Sequence, residues 1–340
     1  MGGHQEQFVA DADEARWSMA RAIAARGGLT DPAWRAAFED VPRHLFVPYF
    51  SVGGVRGYER LWGEDPDPVR RGRWLREVYA DAPLATRIRD GELISSSSQP
   101  SLMALMLDEL DVRDGHTVLE IGAGTGYNAA LLSHRLGDRA VTTVDLDPEI
   151  TESARRHLAA AGYRPAVITG DGARGCPARA PYDRIIATCT LPSVPWAWPA
   201  QCRDGARILA PFATGLISLR VRDTAHGRSA EGRFLPTPAY FVPLRGALPL
   251  PAELQPLAGL PRRVIDDELF RFLLTLTAGT LDPHEALSLW RRERRPQRER
   301  YGITVGPDRQ WAWLDDPQGP YAGRSPGPEP HGASGAPPGP

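Results

Sequence analysis

The chain has 340 residues, 42% of them hydrophobic and 24% charged, with a formal net charge of -2. That is apolar material enough for one large domain with additions, or for two domains. The near-neutral balance excludes a global electrostatic pull toward nucleic acid or membrane surfaces.

All 40 basic residues are arginine, which a GC-rich coding bias explains. Cys176, Cys189 and Cys202 fit neither a disulfide framework nor a metal site, so no metal is expected. The start, "MGGHQEQFVADADEARW", has no charged segment followed by an apolar run, and no run reaches the roughly 18 apolar residues of a membrane span. The expectation is a cytoplasmic protein.

In chain order, Trp17, Ala20, Ile23 and Ala24 share a helical face that Gly27-Gly28 ends, and Asp31-Pro32 opens a second helix. "VPRHLFVPYF" (41–50) closes this region. The next stretch, rich in Gly, Arg and Pro, reads as a surface insertion over 49–78. From His116 strands and helices alternate. "HTVLEIG" (116–122) is a strand, followed by a glycine turn and the helix "YNAALLSHRLG". "AVTTVDLD" (140–147) is the next strand, and Pro148 opens the next helix. "AVITGD" (166–171), "YDRIIATC" (182–189) and "GARILAPF" (205–212) are further strands, and "GLISLRVRD" (215–223) and "AYFVPLRG" (239–246) are candidates for two more. Such repeats predict a parallel sheet covered by helices on both faces. After Gly246 come two helices, "DDELFRFLLTLTAG" and "HEALSLWRRERR", then a strand pair, "YGITV" and "RQWAWLDD". Four regions are expected. They are an N-terminal helical cap at 1–78 with its insertion, a core at 79–246, an α+β addition at 247–316 suited to binding a peptide, and a disordered tail at 317–340.

The strongest motif is "VLEIGAGTGYNAALL" (118–132). Gly122, Gly124 and Gly126 let the backbone approach a ligand at the strand's C-terminal end, where the next helix presents free N–H groups. Glu120 stands just ahead of the first glycine. A pyrophosphate disfavours a carboxylate there, whereas a sulfonium-bearing amino acid tolerates one, which moves the reading from a dinucleotide to S-adenosylmethionine. Asp145, followed by Leu146, ends the second strand and suits the two ribose hydroxyls. Asp147 before Pro148 suits a helix cap. Asp171, followed by Gly172, ends the third strand and suits an adenine amino group; an ordinary Asp-Gly turn is its alternative. The fourth strand runs into Thr188-Cys189-Thr190-Leu191-Pro192. This pattern is similar to that of class I S-adenosylmethionine-dependent methyltransferases. The resemblance implies a Rossmann-like, doubly wound, mostly parallel α/β sheet with Thr188 among the cofactor contacts. Enzymes that methylate base amines often carry Asn- or Asp-Pro-Pro-aromatic at the fourth strand's end, so this segment argues against base methylation. No His pattern supports Cys189 as a nucleophile.

"VPRHLFVP" (41–48), "YADAPL" (79–84), "SQPSLMALML" (98–107), "LEIGAGTGYNAALL" and "APYDRIIATCTLPSVP" (180–195), in that order, resemble protein-L-isoaspartate O-methyltransferases over roughly 40–246. The resemblance implies methyl transfer to a side-chain or isopeptide carboxylate of aspartate. It aligns Ser98 with the substrate-binding serine, with Ser97 and Ser96 as further candidates. It gives Arg43 and His44 a mainly structural place. There are departures. Repair enzymes continue "PL" into an Ile-Gly-x-Gly stretch and then Thr-Ile-Ser-x-Pro, where this chain reads Thr86-Arg-Ile-Arg-Asp-Gly-Glu-Leu and Ser95 to Ser98. The insertion and the C-terminal addition are also foreign to a minimal repair enzyme. This form resembles the actinobacterial branch associated with ribosomally made peptides, such as lanthipeptides and ATP-grasp-cyclised peptides. That likeness implies methylation of an Asp in a macrocyclic peptide, with collapse of the ester to an aspartimide or isoaspartate. The alternative is general repair of isoaspartyl proteins. Arginine-rich "VRRGRWLR" (69–76) and "RRERRPQRER" (291–300) suit an acidic peptide or a solvated helix face.

Overall fold

The computed structural model describes residues 2–54, 57–225, 227–246, 257 and 259–324. Helix α1 (Gly2–Ala25) buries a stripe of Ala12, Met19, Ala20 and Ile23. Trp17 lies off that stripe and is 43% exposed, contrary to the face expected for it. Helix α2 (Pro32–Asp40) is capped by the Asp31 side chain, which accepts from Ala33 N at 2.8 Å. The one-turn α3 (Arg43–Phe46) follows.

The stretch expected as a surface insertion is core material. Strands β1 (Tyr49–Gly54) and β2 (Gly57–Trp62) form a hairpin, and α4 (Pro68–Val78) packs beside it. Phe50 and Leu61 are cross-strand partners, both fully buried, and Trp74 and Val78 of α4 join them. Glycine and arginine dominate the composition, but Phe50 and Leu61 fall on the buried face of the hairpin, while Tyr49, Tyr58 and Trp62 fall on the other. Strands β3 (Leu84–Arg89) and β4 (Glu92–Ser97) complete an antiparallel sheet in the order β2-β1-β3-β4, and α5 (Pro100–Leu110) leads on from it.

The second sheet begins with β5 (Val118–Ile121), α6 (Tyr127–Leu136), β6 (Val141–Asp145), α7 (Pro148–Ala160), β7 (Ala166–Thr169) and β8 (Tyr182–Ala187). After α8 (Ala197–Ala200) it continues with β9 (Cys202–Phe212), β10 (Gly215–Thr224) and β11 (Gly227–Pro238). Helices α9 (Arg262–Ile265), α10 (Glu268–Leu276) and α11 (Pro283–Arg292) precede β12 (Tyr301–Val305), β13 (Gln310–Leu314) and β14 (Gly323–Arg324). Among the described residues the strand order is β14-β13-β12-β11-β10-β9-β8-β5-β6-β7. From β7 to β9 neighbours run parallel; from β9 to β14 they run antiparallel. This is the class I methyltransferase fold with a long antiparallel extension. "AYFVPLRG" is not a strand of the sheet. It is an extended loop held at Thr190, which donates to Val242 O and accepts from Leu244 N, both at 2.9 Å.

Successive strand residues serve opposite cores. Ile185 and Ala187 face the core that α8, α10 and α11 cover; Ile186 faces the core of α1, α2, α5 and α6. Phe270, Trp290, Tyr301 and Ile303 of the C-terminal addition share one cluster with Ile121 and Ile208. Residues 317–324, expected to begin a disordered tail, turn back so that β14 pairs with β13; residues 325–340 lie outside the described residues. Among the described residues no helix is long and apolar enough to cross a membrane.

Candidate active site

A cleft opens at the C-terminal ends of β5 and β6, between the glycine turn, the serines of β4 and the 242–245 loop. Gly122 turns the chain with φ 97, and a Cβ there would lie 2.7 Å from Thr188 Oγ1, so only glycine fits. Thr188 Oγ1 donates to Gly122 O at 2.8 Å, which fixes the turn to the end of β8. Gly124 N donates to Asp145 Oδ2 at 3.2 Å, which ties the turn to the end of β6. Gly126, with φ 88, starts α6 just behind the cleft wall.

Glu120 is fully buried. Its Oε1 accepts from Asn128 Nδ2 at 2.7 Å, while Glu120 Oε2 and Asn128 Oδ1 have no hydrogen-bond partner among the described residues. Burial pushes the Glu120 carboxyl up to about 7. Burial also raises the Asp145 carboxyl, against the N–H bonds from Gly124 and Asp147. The Arg245 guanidinium lies 3.5 Å from Asp145 Oδ1. Leu146, 40% exposed, lines the same side. Asp147 caps α7 as expected, accepting from Glu149 N at 2.9 Å. Asp171 follows β7 by two residues, beside the cleft. Its Oδ1 accepts from Ala173 N at 2.9 Å and caps a short 3-10 turn, which carries Gly172 into the wall.

The four serines line the opposite wall. Strand alternation buries Ser95 and Ser97 and leaves Ser96 and Ser98 partly exposed. The Ser97 hydroxyl accepts from Arg43 Nη2 at 3.2 Å, so it serves the scaffold. Arg43 is wholly buried and also donates to the carbonyls of Val78 (2.7 Å), Ala80 (3.3 Å), Ala82 (3.4 Å) and Ser98 (3.0 Å). Its guanidinium therefore clamps the start of α5 to the turn after α4. At the other end of α5, Arg184 donates to Leu110 O at 2.7 Å, and Arg207 donates to Glu109 O. His44 bonds the Tyr79 hydroxyl at 2.7 Å, away from the cleft, and burial depresses it to about 4.

The cleft thus brings together Glu120, Gly122, Gly124, Asp145, Leu146, Gly172, Thr188, Ser97 and Ser98, with Gly126 behind them and Asp171 beside them. Sequence reasoning missed Asn128, whose signal was its place in the first turn after the glycines, and Arg245, which carries no local signal. Among the described residues no histidine lines the cleft, and burial raises the Cys189 thiol, so they offer neither an imidazole base nor a thiolate nucleophile. A buried carboxylate oxygen without a protein partner, beside a turn built from glycines, suits a ligand that brings a cation and N–H donors. That is the character of the amino-acid end of S-adenosylmethionine, and the residues fit it.

A family model described as Protein-L-isoaspartate(D-aspartate) O-methyltransferase (PCMT) matches residues 67–246. A protein-L-isoaspartate O-methyltransferase of Hyperthermus butylicus is 34% identical over 244 residues, covering 68% of this chain and 89% of that one. A protein-L-isoaspartate O-methyltransferase 1 of Archaeoglobus fulgidus is 34% identical over 240 residues, covering 69% and 95%. A solved protein-L-isoaspartate O-methyltransferase shares the fold at TM-score 0.59 and 24% identity, covering 86% of this chain and 96% of that one. The chain belongs to the protein-L-isoaspartate(D-aspartate) O-methyltransferase family and is an S-adenosylmethionine-dependent carboxyl O-methyltransferase.

Proposed function

We propose that the enzyme methylates the side-chain carboxylate of an aspartate in a constrained, ribosomally made peptide, in the cytoplasm, and that the next residue's backbone nitrogen then displaces methanol from the ester to give an aspartimide, which remains as such or is opened by water to isoaspartate. One observation carries the carboxylate part. The wall facing the glycine turn offers hydroxyls, while the buried Arg43 behind it is engaged by carbonyls and Ser97. A carboxylate with a pKa near 4 is already ionised at neutral pH and needs no base. It needs orientation at near-attack distance, and hydroxyl donors give that without neutralising it.

In this reading Ser98, with Ser97 behind it, holds the substrate carboxylate. Glu120, Gly122, Gly124, Gly126 and Thr188 hold the amino-acid end of the cofactor. Asp145 and Leu146 hold its ribose, and Gly172 faces adenine from the turn that Asp171 caps. When bound, S-adenosylmethionine supplies an electrophilic methyl group on sulfur.

Two features support a constrained peptide as substrate. About a third of this chain lies outside the match to the relatives. In place of the glycine stretch of repair enzymes, Arg87 reaches Glu149 at 2.5 Å and Arg89 reaches Asp147 at 3.5 Å, which ties the β3–β4 hairpin to α7. The second reading is general repair of isoaspartyl proteins, and the names of the curated relatives favour it at least as well. Mass spectrometry separates the two. A macrocyclic Asp peptide that gains one methyl, or loses water through the ester, while a linear isoaspartyl peptide stays unmodified, supports the first. The converse result supports repair.

A further inference from the structure

Apart from Ser96, the outer face of the four-stranded sheet has no part in the site described above. Register sets Arg60 of β2 opposite Ser51 of β1, Ser51 opposite Ala85 of β3, and Ala85 opposite Ser96 of β4. Direct cross-strand partners project from one face, so these four residues form a row across the whole sheet. The row ends at Ser96, a residue of the cleft wall. Ser51 and Ala85 are small and make a shallow floor. The Tyr49–Trp62 pair flanks β1 and β2 on one side of the row and Tyr58 on the other.

These side chains are presented to solvent in a fixed arrangement. Tyr58 is 65% exposed and Trp62 38% exposed. The Trp62 indole N–H donates to Asp65 at 3.0 Å, which holds the ring. The Arg60 guanidinium sits 3.9 Å over the Tyr49 ring. Among the described residues Arg60 has no ion-pair partner, whereas Arg70 and Arg73 both reach Glu59, which projects from the other face. β1 and β2 also precede residue 67, where the family match starts.

We propose that this face docks the peptide substrate and selects a peptide carrying an acidic side chain about four residues from the carboxylate to be methylated. The proposal rests on the reading of the substrate as a peptide carboxylate. Three strand spacings of about 4.8 Å separate Arg60 from Ser96, roughly 14 Å, which an extended peptide covers in about four residues. Continuity of the row with the cleft, the small-residue floor, the aromatic flanks and the unpaired guanidinium all fit that occupant.

The test uses fluorescein-labelled peptides with one aspartate or isoaspartate and either Glu or Lys about four residues to either side. Anisotropy reads their binding to the full chain saturated with S-adenosylhomocysteine. The wild type is expected to bind one Glu peptide about five-fold more tightly than its Lys counterpart, the scale of one exposed ion pair. Arg60→Gln should abolish the preference and Arg60→Glu reverse it, with cofactor affinity unchanged, and about 0.5 M salt should remove it in the wild type. No binding of any peptide, equal affinities in the wild type, or a preference that survives Arg60→Glu overturns the proposal. Mass spectrometry of the same peptides, with S-adenosylmethionine in place of S-adenosylhomocysteine, tests the carboxylate reading separately: bound peptides that are never methylated count against that reading and leave the docking preference intact.

Discussion

Arg43 donates from Nη2 to the Ser98 carbonyl at 3.0 Å, although among the described residues no carboxylate lies within ion-pair distance of the guanidinium. Burial lowers its pKa to about 10, so it stays charged at neutral pH. A buried cation solvated by carbonyls of two chain segments fixes both of them. Arg43→Lys keeps the charge but loses the planar fork. It is expected to cost about 2 kcal/mol of stability in urea unfolding, and to lower kcat about ten-fold while leaving the cofactor Kd within a factor of two. An unchanged kcat would remove Arg43 from any role in positioning the serines.

Ser98 and Ser97 differ by one residue and by face. Ser98→Ala is expected to lower kcat roughly 10- to 100-fold, the loss of one hydrogen bond to a charged group, without changing cofactor affinity or melting temperature. Ser97→Ala removes an acceptor from Arg43 and should cost about 1 kcal/mol of stability with a smaller kinetic effect. Kinetics of Ser98→Ala that match the wild type would return that serine to a structural part.

Asp145 is held by Gly124 N and Asp147 N, with Arg245 beside it. Asp145→Ala should weaken S-adenosylmethionine binding about 10- to 100-fold in calorimetry, since two hydroxyl donors lose a charged acceptor. Cofactor affinity within two-fold of wild type would take the ribose role away from Asp145.

Glu120 has an ordinary value of 4.5 and is raised to about 7 in the fold. Folding therefore favours its protonated form. Stability from this group is complete below pH 4.5 and is lost as pH rises through 7, on the order of 3 kcal/mol in full. Asp145 is shifted in the same direction and adds to the trend. Without cofactor, the melting temperature should fall between pH 5 and 8, and Glu120→Gln should flatten that fall. Parallel profiles for the two proteins would show that the carboxyl does not titrate there.

Gly232 on β11 lies so close to β10 that an added Cβ would sit 1.8 Å from Ser218 O. Gly232→Ala must move backbone and should cost about 3 kcal/mol. Calorimetric unfolding checks this, and a melting temperature equal to wild type would contradict the spacing.

The cofactor half was legible because its signals are local. Strand, glycine turn and helix follow one another within 15 residues, and acids stand at successive strand ends. Three parts of the reading were misled by composition. "AYFVPLRG" has the aromatic and β-branched content of a strand, but it is a loop held through Thr190. β11 was unseen because Ala230 and Phe234, its buried apolar residues, lie four apart among glycine, proline and charge. Residues 49–78 read as surface because burial on one face of a short hairpin shows only once Phe50 and Leu61 are paired. The role of Arg43 has no local trace, since its partners lie 35 to 55 residues away. Asp171 was legible as an acid at a strand end, but the sequence does not reveal that its Oδ1 caps a turn.

From β9 onward, every strand is laid beside the one that came before it in the chain. By Phe212 the strands that frame the cofactor cleft have all been synthesised, and the later strands accrete at a single open edge. Vectorial synthesis can therefore assemble the sheet of the catalytic half before the last third of the polypeptide exists. After Phe212 the 242–245 loop returns to the cleft, while β10 to β14 only extend the sheet away from it. These distal strands lie away from the cleft, yet their side chains Tyr301 and Ile303 share a core with Ile121, the last residue of β5, so the late-made third of the chain buttresses the strand that carries the glycine turn.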